Sequence, residues 1–171
     1  MNVVEARVHG VVIEKSSGAN VVILREAGDE RILPIWIGPG EAQAISRLLS
    51  GEAPPRPFTH DLLAMIVEGL KGRVTRVVIS DLRESTFFAH LFVEREGEVL
   101  SVDARPSDSI AVALRTRAPI YVNELLMQDP PTQEAEAEPT PEPPAAAPDD
   151  AEQLRRRLER LKPEDFGKFE P

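Results

Sequence analysis

Residues 128–150 read QDPPTQEAEAEPTPEPPAAAPDD, with seven prolines, seven acids, no base and no aromatic residue. A segment of that kind cannot bury enough apolar surface to offset the entropy of ordering it. It reads as a disordered acidic linker, and it confines any packed core to the residues before it. The expected organisation is therefore a domain over 1–127, the linker over 128–150, and a tail over 151–171. The formal charge of −9 is concentrated in the linker. The remaining charge is mixed, so local basic patches are allowed and a broad basic surface is not. There is no cysteine, which excludes disulfides and thiolate metal sites. Glu5 and Arg7 stand where a signal peptide needs an apolar run. No apolar stretch approaches the roughly 20 residues of a membrane span. A soluble, cytoplasmic protein is expected.

The first 127 residues alternate between two periodicities. VVEARVHGVVIE, NVVILRE and ERILPIWIG are rich in branched residues and are separated by turn sequences, as strands are. Pro34 suits an edge strand. GPGEAQAISRLLSG reads as a helix, with Pro39 at its first position, Glu41 near the positive end of its dipole, and Ala42, Ile45, Leu48 and Leu49 on one apolar face. Thr59 is placed to cap a second helix, whose Leu62, Leu63, Ile66 and Leu70 are expected to face a core. RVTRVVISDL, TFFAHLFVER and VLSVDA read as a meander. Ser107 is placed to cap a third helix over 108–117, and IYV forms a last strand. The order βββααβββαβ predicts an α+β fold, with three helices packed on a mostly antiparallel sheet. In the tail, Leu154, Leu158 and Leu161 form one stripe of a short amphipathic helix, which is marginal alone and is expected either to dock on a protein partner or to form only transiently.

Two segments echo each other. Arg56-Pro57-Phe58-Thr59-His60-Asp61 enters the second helix, and Arg105-Pro106-Ser107-Asp108 enters the third. A helix N-terminus offers unpaired N–H groups and positive potential, and a guanidinium beside it adds a planar fork for phosphate. Arg56, Thr59, Arg105 and Ser107 are thus candidates for phosphate binding. Two readings stay open on pattern alone: a phosphate-binding corner, or ordinary caps with Arg105 paired to Asp103 or Asp108. His60, at a helix start after a proline-rich loop, is a candidate general base, whereas His9 and His90 sit in strand patterns. Asp61, Asp103 and Asp108 are candidate ligands for a magnesium ion, with Asp103 and Asp108 the preferred pair. GPGEA fits no glycine-rich phosphate loop. Trp36, between two isoleucines, reads as a core or interface residue.

LPIWIGPGEAQAI, PRPFTHDLL, FFAHL, VDARPSDSIAVALR and APIYV occur here in the order found in the bifunctional nuclease domain family, which the chain resembles over residues 1–127. That family is found in bacteria and in plants. The resemblance implies an α+β domain that hydrolyses phosphodiester bonds of DNA or RNA, acting as DNase, RNase or both. It marks Glu41, Arg56, Thr59, His60, Asp61, Asp103, Arg105, Ser107 and Asp108 as matching positions. His60, Asp61, Asp103 and Asp108 are then the expected catalytic set. Where the family pattern reads PSDAIA, this chain has Ser109. The alternative function is a non-catalytic module that binds nucleic acid or protein, and a homo-oligomer is compatible with either.

Overall fold

A computed structural model describes residues 2–52 and 54–130. The tail, and the linker from residue 131 onward, lie outside them. The strands are β1 (Val3–Ile13), β2 (Asn20–Glu26), β3 (Ile32–Ile37), β4 (Arg73–Arg83), β5 (Thr86–Arg95), β6 (Glu98–Ala104) and β7 (Ile120–Asn123). The helices are α1 (Pro39–Leu49), α2 (Thr59–Gly69) and α3 (Pro106–Thr116). The expected order of elements is reproduced, and a short 3₁₀ turn follows β7.

The strands form one mixed seven-stranded sheet in the order β3-β2-β1-β7-β4-β5-β6. Two antiparallel meanders, β1–β3 and β4–β6, flank β7, which is antiparallel to β1 and parallel to β4. Pro34 lies on the edge strand β3, where it withholds no needed donor. Gln128, counted with the linker from its sequence, exchanges backbone hydrogen bonds with Ile32 and so extends the folded part of the chain by a residue.

This topology explains why α3 lies at the centre of the helix layer. It carries the chain from the edge strand β6 back to β7, so it crosses β5 and β4 on the way. Pro106, Ser107 and Ser109 through Ala113 are buried, with α1 and α2 on either side. Leu24, Leu33, Ile45, Ile79 and Ile110 are fully buried in the shared core. Each such side chain contributes about 1.5–3 kcal/mol by leaving water.

α2 departs from expectation. Leu62, Leu63, Ile66 and Leu70 do not face the core; with Met65 they are 43–59% exposed. The inward stripe is instead Asp61, Ala64 and Val67, spaced i, i+3, i+6. The rotation is fixed by an ion pair. Asp61 is 4% exposed, and its Oδ1 lies 3.0 Å from Nε of Arg115 on α3. Trp36, expected in the core or at an interface, is 55% exposed, which excludes the core.

Candidate functional site

The three helices share a feature at their N-termini: each carries an acid at its third position, Glu41 in α1, Asp61 in α2 and Asp108 in α3. An acid there complements the helix dipole. Two of the three acids meet at one arginine.

Arg105 is the N-cap residue of α3. Its Nε lies 2.7 Å from Asp108 Oδ2, and its Nη2 lies 3.1 Å from Asp108 Oδ1 and 2.9 Å from Glu41 Oε1. Planar guanidinium favours such two-pronged pairing. Glu41 reaches Arg105 by folding back over its own helix start. Its carboxylate occupies the space where a Cβ on Gly38 would sit, so a larger residue at that cap would push the Glu41 carboxylate aside. Pro39 and Pro106 open α1 and α3 at the first helical position, where a missing N–H costs nothing.

His60, at the second position of α2, completes the group. Its Nε2 lies 3.0 Å from Asp108 Oδ1, and its side chain is 13% exposed. Burial opposes ionisation of Asp108, but hydrogen bonds and charge from Arg105 and His60 outweigh it and hold the carboxyl below its ordinary value. Asp108 is therefore an anion bridging an arginine and a histidine. Hydrogen bonding to Asp108 first, and to Glu41, makes Arg105 still harder to deprotonate.

These residues line an open cleft of about 360 Å³, together with Arg47, Phe58 and Thr59. The guanidinium of Arg47 sits 4.7 Å from the centre of the Phe58 ring. Sequence reasoning missed both. The available signal was the spacing of Gly40, Ala44 and Arg47, a small-to-basic stripe beside the apolar face of α1.

The structure brings together His60, Arg105, Asp108, Glu41 and Thr59. The other expected residues lie elsewhere. Thr59 and Ser107 are not caps: the N-cap residues are Phe58 and Arg105, neither making a side-chain cap, and the helices start earlier than the hydroxyls suggest. Thr59 is the first residue of α2 and still lines the cleft. Ser107 is the second residue of α3 and is buried away from it. Arg56 lies two residues before the α2 cap, exposed and without an ion pair among the described residues. Asp61 accepts a hydrogen bond from its own helix start, Phe58 N, at 2.9 Å and pairs with Arg115, so it holds α2 rather than the cleft.

Asp103 is separated from the group by strand alternation. Ala104 pairs with Ala89 in the core, so Asp103, paired with His90, turns to the helix-free face of the sheet. The expected magnesium pair of Asp103 and Asp108 is thus split between two faces. Among the described residues no three His, Cys, Asp or Glu side chains gather to hold a metal. The two carboxylates that do converge, Glu41 and Asp108, are both engaged by Arg105.

Residues 22–134 match the sequence model of the bifunctional nuclease domain. The chain belongs to the bifunctional nuclease domain family. An uncharacterized protein of Mycobacterium tuberculosis is 41% identical over 169 residues, covering 95% of this chain and 97% of its own length. Bifunctional nuclease 1 of Arabidopsis thaliana is 28% identical over 109 residues, 62% of this chain and 34% of the plant protein. Bifunctional nuclease 1 of Oryza sativa subsp. japonica is 27% identical over 106 residues, 60% of this chain and 32% of the rice protein. The likeness to the plant members of the family is therefore to about a third of each. Among the described residues, no helix is long and apolar enough to cross a membrane.

Proposed function

We propose that this protein hydrolyses phosphodiester bonds of DNA or RNA in the cleft at the three helix N-termini. The observation that carries the reading is the pairing of His60 with Asp108 at 3.0 Å, in an open cleft, beside Arg105. An anionic Asp108 accepts a hydrogen bond from Nε2–H of His60, the tautomer that leaves the lone pair on Nδ1. Nδ1 takes a proton from water, and the resulting hydroxide attacks phosphorus. The imidazolium then returns the proton to the departing oxygen. Arg105 keeps Nη1 free of the carboxylates, and its two N–H groups are donors for the charge that grows on the non-bridging oxygens. Glu41 and Asp108 fix the guanidinium beforehand, so little ordering remains to be done when phosphate arrives. No step here runs through a metal.

A second reading has its own support. Arg105 is already neutralised by two carboxylates, and the outer side of α2 presents five large apolar residues to solvent. Contiguous apolar surface of that kind marks protein interfaces. In this reading the domain is a non-catalytic binding module, α2 is its partner face, and self-association is its simplest product.

The test is hydrolysis of single-stranded DNA and RNA by highly purified full-length protein, with magnesium, without it, and with EDTA. His60→Ala and Asp108→Ala variants serve as controls. The hydrolytic reading expects cleavage by the wild type and its loss in both variants at unchanged folded fraction. Equal cleavage by all three would assign the activity to a contaminant and leave the binding module.

A further inference from the structure

The cleft has two ends of different chemistry. At one are Glu41, His60, Arg105 and Asp108. At the other are Arg47 and Phe58, which hydrolysis as described does not use. Phe58 is 43% exposed, although a phenyl ring gains by leaving water. Its position is nevertheless fixed. Pro57 restricts the chain before it, its own N–H is held by Asp61, and Arg47 lies against one ring face. Among the described residues no second cation lies over the ring. Along the α1 wall Gly40 and Ala44 leave room, and Gln43 adds a polar side chain.

From this arrangement, and resting on the phosphodiester reading of the cleft, we infer that the cleft takes one unstacked nucleotide of a single strand, with its base against the exposed ring of Phe58 and its phosphate toward Arg105. A base inside a duplex has both faces covered and cannot use the ring. A splayed base offers a π-face to any aromatic platform, whatever its sequence. A volume of about 360 Å³ lies at the lower end of small-ligand pockets, suited to one nucleotide unit rather than a duplex. Arg47 has two roles here: it backs the ring as a cation–π partner, and it adds positive charge along the path of the strand.

The experiment is fluorescence anisotropy with full-length protein at fixed low salt. The probes are a labelled phosphorothioate oligothymidylate and a blunt hairpin duplex of equal charge. Phe58→Leu keeps apolar bulk without a π-face and should weaken single-strand binding about tenfold, the scale of one stacked base. Phe58→Trp should preserve it, Arg47→Ala should weaken it, and none of the three should alter duplex binding or the melting temperature appreciably. Wild-type affinity in Phe58→Leu, or equal affinity of the wild type for both probes, overturns the inference. Cleavage of an unmodified strand is measured in parallel. If the wild type cleaves while Phe58→Leu binds normally, stacking falls and the hydrolytic reading stands. Weakened binding in Phe58→Leu with no cleavage by the wild type does the reverse. Failure of the wild type to bind either probe overturns both.

Discussion

α2 and α3 start from nearly the same sequence and end in opposite situations. Each is 11 residues long, each has an Arg-Pro pair at or just before its start, and each has aspartate at its third position. In α3, arginine is the cap residue and proline the first helical residue, so the guanidinium reaches the aspartate three positions on. In α2, two residues intervene: Phe58 takes the cap, and Arg56 is left outside the first turn. Asp61 then turns back to its own helix start and inward to Arg115, and Asp108 turns outward to Arg105 and His60. Burial follows the same division. α3 bridges the sheet and is buried along most of its length, whereas Asp61 is the only fully buried residue of α2. The lesson is that a short motif does not fix a role. A two-residue offset moves one aspartate into the structure and leaves the other at the site.

The largest expected effect is on chemistry. His60→Ala removes the proposed base and should lower hydrolysis by about 10²–10⁴-fold, with the melting temperature nearly unchanged. A smaller loss than tenfold would mean that α2 lends the cleft only its shape. Next, the two arginines should separate. Arg105→Ala should weaken oligonucleotide binding and reduce its salt dependence by about one phosphate contact, and Arg56→Ala should do neither. Salt titrations of both variants measure this, and equal effects would restore the echo as a functional repeat.

On stability the order reverses. Asp61→Ala should cost about 2 kcal/mol, below the usual range for a broken buried pair because Arg115 is itself 45% exposed. A denaturant melt at neutral pH checks it. Acid behaviour should mark Asp108. Its carboxyl ionises more readily in the fold than in the unfolded chain. Its contribution is therefore complete above the ordinary value of 3.8 and is lost as pH falls through the lowered one. Calorimetry in that acid range should show a shallower decline in Asp108→Asn than in the wild type. The smallest effect lies at Ser109, whose buried hydroxyl has no hydrogen-bond partner among the described residues. Ser109→Ala should stabilise by about 1 kcal/mol, since an unsatisfied buried hydroxyl only carries a desolvation cost.

Most of the fold was legible because each element announces its period and its ends. NVVILRE and TFFAHLFVER occupy β2 and β5 residue for residue. The core face of α2 was not legible. Its sequence is apolar nearly all round, so periodicity could not choose between Leu63-Ile66-Leu70 and Ala64-Val67, and the pairing of buried Asp61 with half-exposed Arg115 decided it. At the site, His60, Arg105, Asp108 and Glu41 were legible because acids and basic groups at helix starts carry a physical meaning. Asp103 misled because nearness in sequence to Arg105 conceals the alternation of a strand. Ser107 misled because proline and arginine, not the hydroxyl, open α3. The Gly40-Ala44-Arg47 stripe could have put Arg47 on the cleft side of α1, but its contact with Phe58 is made across a loop and no spacing reports it.

The central claim is that Asp108 belongs to the site and Asp61 to the structure. Matched thermal melts and hydrolysis rates for Asp108→Asn and Asp61→Asn test it directly, since both keep the side-chain shape and remove one charge. The account predicts a fall of at least about a hundredfold in hydrolysis for Asp108→Asn with little change in melting temperature. For Asp61→Asn it predicts a melting temperature lower by roughly 5–10 °C, with normal hydrolysis per folded molecule. Hydrolysis that falls in Asp108→Asn only in proportion to the folded fraction, or that collapses in a fully folded Asp61→Asn, would contradict it.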